Sequence, residues 1–361
     1  MITVTRPFMP PLDEYVEYLT GIWSRNWITN NGPLVNDLEL QLKEKLHLDH
    51  LIFVANGTIA LQIAIKALGL AGEIITTPYS YVATTSSIVW EGCRPVMADI
   101  CQRSWNIDPT SIASRITPQT TAILATHVYG NPCDIPALEQ IARDHGLKLI
   151  FDGAHCFGTR YRGKSLMSYG DISTMSFHAT KLFSTGEGGA VVCNSPELLR
   201  RAALMRNFGH TAPTEFDGVG INGKNSELHA ALGLCNLKYI DRILQDRKNI
   251  FENYRKLLRH PDIKYPEIAD DTLYNHSYYP VLFKSHRTMQ LVERELLKNQ
   301  VSTRRYFYPS LSSLDYVPGR FATPIADDIA SRVLCLPMYY GLSFAEQRMI
   351  TRLVFRVLNN G

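Results

Sequence analysis

The stretch Ser173–Ser195, STMSFHATKLFSTGEGGAVVCNS, decides the reading of the whole chain. An apolar run ending in Ser176 and Phe177 leads to one lysine, Lys181. Three glycines, Gly186, Gly188 and Gly189, then turn the chain into a second apolar run, GAVVC. Glycines at such a turn let the backbone bend tightly and approach a ligand closely. A surface lysine needs no such setting, whereas a lysine that forms a Schiff base must be held beside its ligand and kept partly neutral. Taken alone, Lys181 reads as a surface residue beside a turn. Its neighbours elsewhere in the chain change that reading.

Working outward, the two runs belong to a series of seven strand candidates: 51–55, 73–77, 94–100, 121–128, 147–153, 172–177 and 189–193. They are short, rich in Val and Ile and mostly free of polar interruptions, the pattern of strands buried on both faces of a largely parallel sheet. Helical stretches lie between them. TIALQIAIKALGL carries Ile59, Ile63 and Ala67 on one face, and DIPALEQIARDHGL opens at Asp134, has Pro136 in its first turn and stops at Gly146. The alternation predicts an α/β fold with a mostly parallel seven-stranded sheet and helices on both faces. Ligands of such sheets collect at the carboxyl ends of the strands. After about residue 240 the pattern changes to a long charged amphipathic helix, YIDRILQDRKNIFENYRKLL, followed by YYPVLFK and two more helical segments. We therefore expect a large domain over 1–240, with an N-terminal segment packed outside the sheet, and a smaller α+β domain over 241–361.

The bulk properties exclude several classes. The net charge of +3 comes from scattered basic residues and gives no electrostatic case for nucleic acid. The seven cysteines are odd in number and have no C-x-x-C spacing, so they read as reduced thiols, neither a disulfide frame nor a zinc site. The N-terminus lacks a signal-peptide pattern, and no apolar run approaches the roughly 20 residues that span a bilayer. A cytoplasmic protein without a bound metal is expected.

Three further places carry chemistry. Asn56, Gly57 and Thr58 form a strand-to-helix turn, which serves either as a plain cap or as a phosphate site at a helix N-terminus. Asp152 ends an apolar strand, where a carboxylate is costly without a partner. It is either a cap or the partner of a protonated ring nitrogen. His155, three residues on, is either a satisfied core histidine or a donor to a ring oxygen. Tyr79 and Tyr81 follow a strand in a hydroxyl-rich loop, and either one packs in the core or stacks on a flat cofactor. Anion cradle, aromatic face, carboxylate and lysine together suit pyridoxal 5′-phosphate.

On the segments NGTIALQIAIKALG, TTPYSYVATTSSIVWEGCRPVMADI, THVYGNPCDI, FDGAHCFG, SFHATKLFSTGEGGAVV and GINGKNSELHAALGLCNL, the chain resembles the sugar aminotransferases named after DegT, DnrJ, EryC1 and StrS. These are fold-type I pyridoxal phosphate enzymes, and the likeness covers nearly the whole chain. The resemblance implies that Lys181 binds the cofactor aldehyde and Asp152 the pyridine nitrogen. It implies that Gly57, Thr58 and Ser176 hold the phosphate and that Tyr81 stacks on the ring. His155 stands where the family often has glutamine. Asn222 matches an asparagine that reaches the phosphate of the neighbouring subunit, which implies an obligate homodimer. Lys224 stands where arginine is common, near the nucleotide sugar.

The segment VSTRRYFYPSL (301–311) resembles members acting at C4 of a nucleotide-linked 4-keto-6-deoxyhexose, with Tyr306 and Tyr308 either touching the sugar or packing. The implied reaction moves the amino group of L-glutamate onto dTDP-4-dehydro-6-deoxy-D-glucose, for a bacterial surface polysaccharide such as O-antigen. Amination at C3 ranks second and a GDP-linked sugar third. Relatives with histidine in place of the lysine are dehydratases, and the intact Lys181 speaks against that chemistry here. A non-catalytic regulator lacks support because no DNA-binding module is added. A dinucleotide binder lacks it because no G-x-G-x-x-G follows the first strand.

Overall fold

The computed structural model describes residues 1–319 and 321–360. Its centre is a seven-stranded sheet built from β1 (Leu51–Val54), β2 (Glu73–Thr76), β3 (Arg94–Met97), β4 (Thr120–Thr126), β5 (Lys148–Asp152), β6 (Ile172–Ser176) and β7 (Gly189–Cys193), in the order β1-β7-β6-β5-β4-β2-β3. All seven expected strands are present, with ends shifted by up to three residues. Strands β3, β2, β4, β5 and β6 run parallel. Strand β7 is antiparallel to both β6 and β1. The connection accounts for it: the twelve residues between Ser176 and Gly189 hold no helix, whereas a parallel return usually runs through a crossover helix. The lysine therefore sits on a loop whose two ends are pinned by one ladder, with Ser176 opposite Gly189.

Helices cover both faces. One face is filled by the helix Gly57–Ala67, whose Ala60, Leu61, Ala64 and Ile65 are buried with Ile74, Leu124 and Ile150. Its start is set by Asn56, whose side chain accepts a hydrogen bond from the Ile59 amide at 2.9 Å. The other face carries a larger cluster that includes Phe53, Phe151, Phe177 and Phe183. The N-terminal segment joins this second face: Val35, Leu38 and Leu42 of the helix Pro33–Leu46 are fully buried there. Glu227 ties that helix down, because its buried carboxylate accepts from the amides of Leu34 and Val35 at 3.0 and 2.9 Å. This is the stabilising arrangement for an acid at a helix N-terminus.

Beyond Tyr239 the chain builds another core. Strands β8 (Ile263–Lys264), β9 (Tyr279–Phe283) and β10 (Val333–Leu336) form an antiparallel sheet. The helices Ile240–Leu257, His286–Lys298 and Phe344–Asn360 pack on it through residues such as Tyr254, Val292 and Ile350. A further aromatic cluster joins this part to the sheet: Tyr278 and Phe307 pack with Tyr79, Trp105 and Tyr129 from loops that follow or adjoin the central strands. No helix among the described residues is long and apolar enough to cross a membrane.

Candidate active site

At the carboxyl ends of the central strands lies a cavity of about 430 Å³, within the range usual for small-molecule sites. It is lined by Gly57, Thr58, Tyr81, Asp152, His155, Ser176 and Lys181, so the fold brings together residues drawn from four separate segments of the sequence.

The acid side comes from β5. Asp152 is its last residue and is buried. One carboxylate oxygen accepts from the Thr84 hydroxyl at 2.7 Å, the other from the Ala154 amide at 3.1 Å. Burial raises its pKa despite these two donors. Among the described residues it has no salt bridge, so it lacks the cationic partner that would offset burial. Thr84 is itself placed by Ser80, which bonds Thr84 and Thr126 at 2.7 and 2.9 Å. The hydroxyl-rich segment is thus helical from Val82 to Trp90, where a loop was expected, and one of its hydroxyls orients the acid.

His155 is buried, and burial pushes its pKa well below the usual histidine range. Its Nδ1 accepts from the Tyr129 amide at 3.2 Å, so the neutral ring carries its proton on Nε2 and has a donor to offer. The ring stacks on Phe307 with centroids 5.5 Å apart. Lys181 is also desolvated, which lowers its pKa, while nearby Asp152 acts against the shift. Its Nζ lies 3.5 Å from the Tyr278 hydroxyl.

The anion side is the entrance of the helix Gly57–Ala67. The first amides of a helix have no partner within it. The Cβ of an alanine at Gly57 would stand 2.9 Å from Ser176 Cβ, so only glycine lets this helix start approach the serine so closely. Two tyrosines divide their roles. Tyr81 is exposed and lines the cavity, whereas Tyr79 is fully buried and bonds the Tyr129 hydroxyl at 2.7 Å.

These features fit pyridoxal phosphate. A helix entrance shaped against a hydroxyl suits its phosphate, a buried acid without a cation suits a protonated ring nitrogen, and a desolvated amine suits its aldehyde.

Tyr306 lines the cavity; Tyr308, Asn222 and Lys224 do not. Tyr308 is half exposed with Arg305 stacked on its ring at 3.5 Å. Asn222 is exposed in a loop bridged to Asn207. Lys224 donates to Asn207 at 2.8 Å and lies over Phe208 at 4.7 Å. Sequence reasoning missed Thr84, Tyr278, Arg304 and Phe307. Their only signal was proximity to segments already singled out.

The model of the DegT/DnrJ/EryC1/StrS aminotransferase family matches residues 12–355, and the chain belongs to this family. It is an aminotransferase of the fold-type I class, with pyridoxal phosphate as cofactor. Among curated relatives, a dTDP-4-amino-4,6-dideoxy-D-glucose transaminase of Shigella dysenteriae is 45% identical over 95% of each chain. One of the same description from Escherichia coli is 39% identical over 98% of each. Among solved structures, DesI in the presence of its TDP-sugar product is 32% identical, with a TM-score of 0.94 over 99% of this chain and 93% of that one.

Proposed function

We propose that the protein transfers the amino group of L-glutamate to C4 of dTDP-4-dehydro-6-deoxy-D-glucose, giving dTDP-4-amino-4,6-dideoxy-D-glucose for a surface polysaccharide such as O-antigen. The observation that carries this reading is the likeness, over nearly the full length, to two relatives described as transaminases of that product, in a chain whose cavity contains a desolvated lysine.

When bound, pyridoxal phosphate supplies an aldehyde that accepts and releases an amino group and a ring that draws off electrons. In our reading Gly57, Thr58 and Ser176 hold its phosphate, and Tyr81 covers its ring. Asp152 keeps a proton on the ring nitrogen, with Thr84 fixing the carboxylate. His155 donates Nε2–H to the ring oxygen. Lys181 anchors the aldehyde. Its neutral amine would then serve as the general base that moves a proton at the donor α-carbon. A lowered pKa favours the neutral amine that this task needs. The same lysine serves the return half, in which the keto-sugar receives the amine. Tyr306, Tyr308 and Lys224 are assigned to the sugar nucleotide.

We further infer a homodimer in which Asn222 reaches the neighbouring subunit's cofactor phosphate. A division into residues 1–240 and 241–361 is supported by the separate core that the chain builds from Ile250 onward, and a cytoplasmic location suits the nucleotide-sugar substrate.

The test is spectroscopic and chemical. The purified protein with added cofactor should lose visible absorption on addition of L-glutamate and regain it on addition of dTDP-4-dehydro-6-deoxy-D-glucose. Nuclear magnetic resonance should place the product amine at C4. An amine at C3, or recovery only with a GDP-linked sugar, would refute the substrate assignment.

A further inference from the structure

The adjacent arginines Arg304 and Arg305 look equivalent in sequence, but the fold treats them differently. Arg305 is engaged: its guanidinium stacks on Tyr308 and donates to the Ser331 carbonyl at 3.1 Å. Arg304 makes its hydrogen bonds only through its backbone. Its amide donates to the Cys335 carbonyl at 3.2 Å, and its carbonyl accepts from the Cys335 amide at 2.7 Å, which pins it to β10. Its side chain lines the cavity and lies over the Tyr306 ring at 5.5 Å. Among the described residues no carboxylate pairs with it.

The other charges of the cavity have occupations. Asp152 is bound by Thr84 and Ala154, and Glu187 lies 3.6 Å from His178. Lys181 belongs to the aldehyde in the reading given above. Arg304 is therefore a free guanidinium facing a site that must admit an amino acid.

We propose that Arg304 binds the α-carboxylate of the amino donor. This rests on the aminotransferase reading and names the donor subsite within it. The α-carboxylate is attached to the reacting carbon, so it must enter the cavity with that carbon. The diphosphate of a nucleotide sugar sits on C1, across the ring from a C4 carbonyl, and so falls outside. A guanidinium lining the cavity thus meets the carboxylate, for which its planar fork is the matching donor. Tyr306, beneath the cation, holds it in place by cation–π attraction.

The experiment compares wild type, Arg304→Gln and Arg304→Lys as cofactor-loaded proteins. KM for L-glutamate should rise about 10- to 100-fold in Arg304→Gln, the range for losing a hydrogen bond between charged groups. KM for the keto-sugar should stay within about twofold, and Arg304→Lys should recover part of the loss. Calorimetry supplies a readout apart from turnover: glutarate, a dicarboxylate without an amine, should bind wild type and lose that binding in Arg304→Gln. An unchanged KM for glutamate, or a rise confined to the keto-sugar, would overturn the assignment. A wild type that reacts with glutamate but aminates no keto-sugar would fail the substrate reading and leave the donor subsite standing.

Discussion

Gly57→Ala is the sharpest single perturbation of the cofactor cradle. The new Cβ would stand 2.9 Å from Ser176 Cβ and 3.4 Å from both its Cα and its Oγ. Carbon atoms prefer separations of about 3.5–4.0 Å, so the helix start or the strand must give by roughly half an ångström. The strand is poorly placed to yield. Ser176 is paired with Gly189, and Gly189 itself abuts the Asn56 backbone, where an added Cβ would lie 2.5 Å from the carbonyl carbon. Overpacking of this kind costs about 1–3 kcal/mol, and the stiffer alanine backbone returns about 0.4–1 kcal/mol. The net expected loss is about 1–2 kcal/mol in chemical denaturation of the cofactor-free protein. The same displacement moves the Gly57 and Thr58 amides from the phosphate position, which should weaken cofactor affinity about 10- to 100-fold in a spectroscopic titration. Adding Ser176→Gly removes the clashing Cβ and should restore packing without restoring affinity, because the serine hydroxyl is lost with it. A Gly57→Ala protein with wild-type stability and a cofactor dissociation constant within about twofold would refute the geometry and the phosphate role together.

Other expectations address the acid, the dimer and the response to pH. Asp152→Asn should retain the fold, since the amide oxygen can still accept from the Ala154 amide while the amide nitrogen donates to the Thr84 hydroxyl oxygen, yet lose most transaminase activity because the amide cannot hold a proton on the ring nitrogen; near-normal kcat would reject that role. Lys181→Ala and Asn222→Ala proteins, each impaired alone, should regain activity when mixed under conditions that exchange subunits, because one site of each mixed dimer is then intact. Absence of recovery in a mixture shown to exchange would remove Asn222 from the partner's site. Burial lowers the pKa of His155, of His127 to about 3 and of His276 to about 4. Below the unfolded value of 6.5 the unfolded chain takes up protons that these rings refuse, so stability should fall as pH drops from there toward about 4. Asp152, with a raised pKa, contributes in the opposite direction, but one carboxyl opposes three imidazoles. A urea midpoint that stays flat between about pH 7 and pH 5 would contradict this balance.

The strands were legible because burial on both faces writes itself as uninterrupted apolar residues, as in the Ala-Ile-Leu-Ala of β4 and the Leu-Ile-Phe of β5. The antiparallel course of β7 was implicit in the absence of a helical pattern from the lysine loop, yet the apolar pattern of a strand carries no direction. Asp152 stood out because an acid ending an apolar strand is costly, while Thr84, which orients it, is one hydroxyl among several in its segment. Tyr79 and Tyr81 are equal in sequence and two residues apart. Only packing against Tyr129 and Phe307 sends the first into the core and leaves the second at the cavity. Arg304 was hidden for the same reason, since its freedom is visible only once Arg305 is seen to be bound.

The cavity has two owners. Its inner wall, from Gly57 to Lys181, is set by the central sheet, whereas Arg304, Tyr306 and Phe307 arrive from the far side of the chain on a segment anchored to β10. Substitutions in that segment alter what is admitted without disturbing the sheet that places the lysine and the acid. On the roles proposed above, a lineage of such proteins is free to exchange one amino acceptor for another by drift at residues such as Tyr306 and Tyr308, while Arg304 keeps the same amino donor. Attempts to redirect the enzyme toward new sugars should begin on that segment.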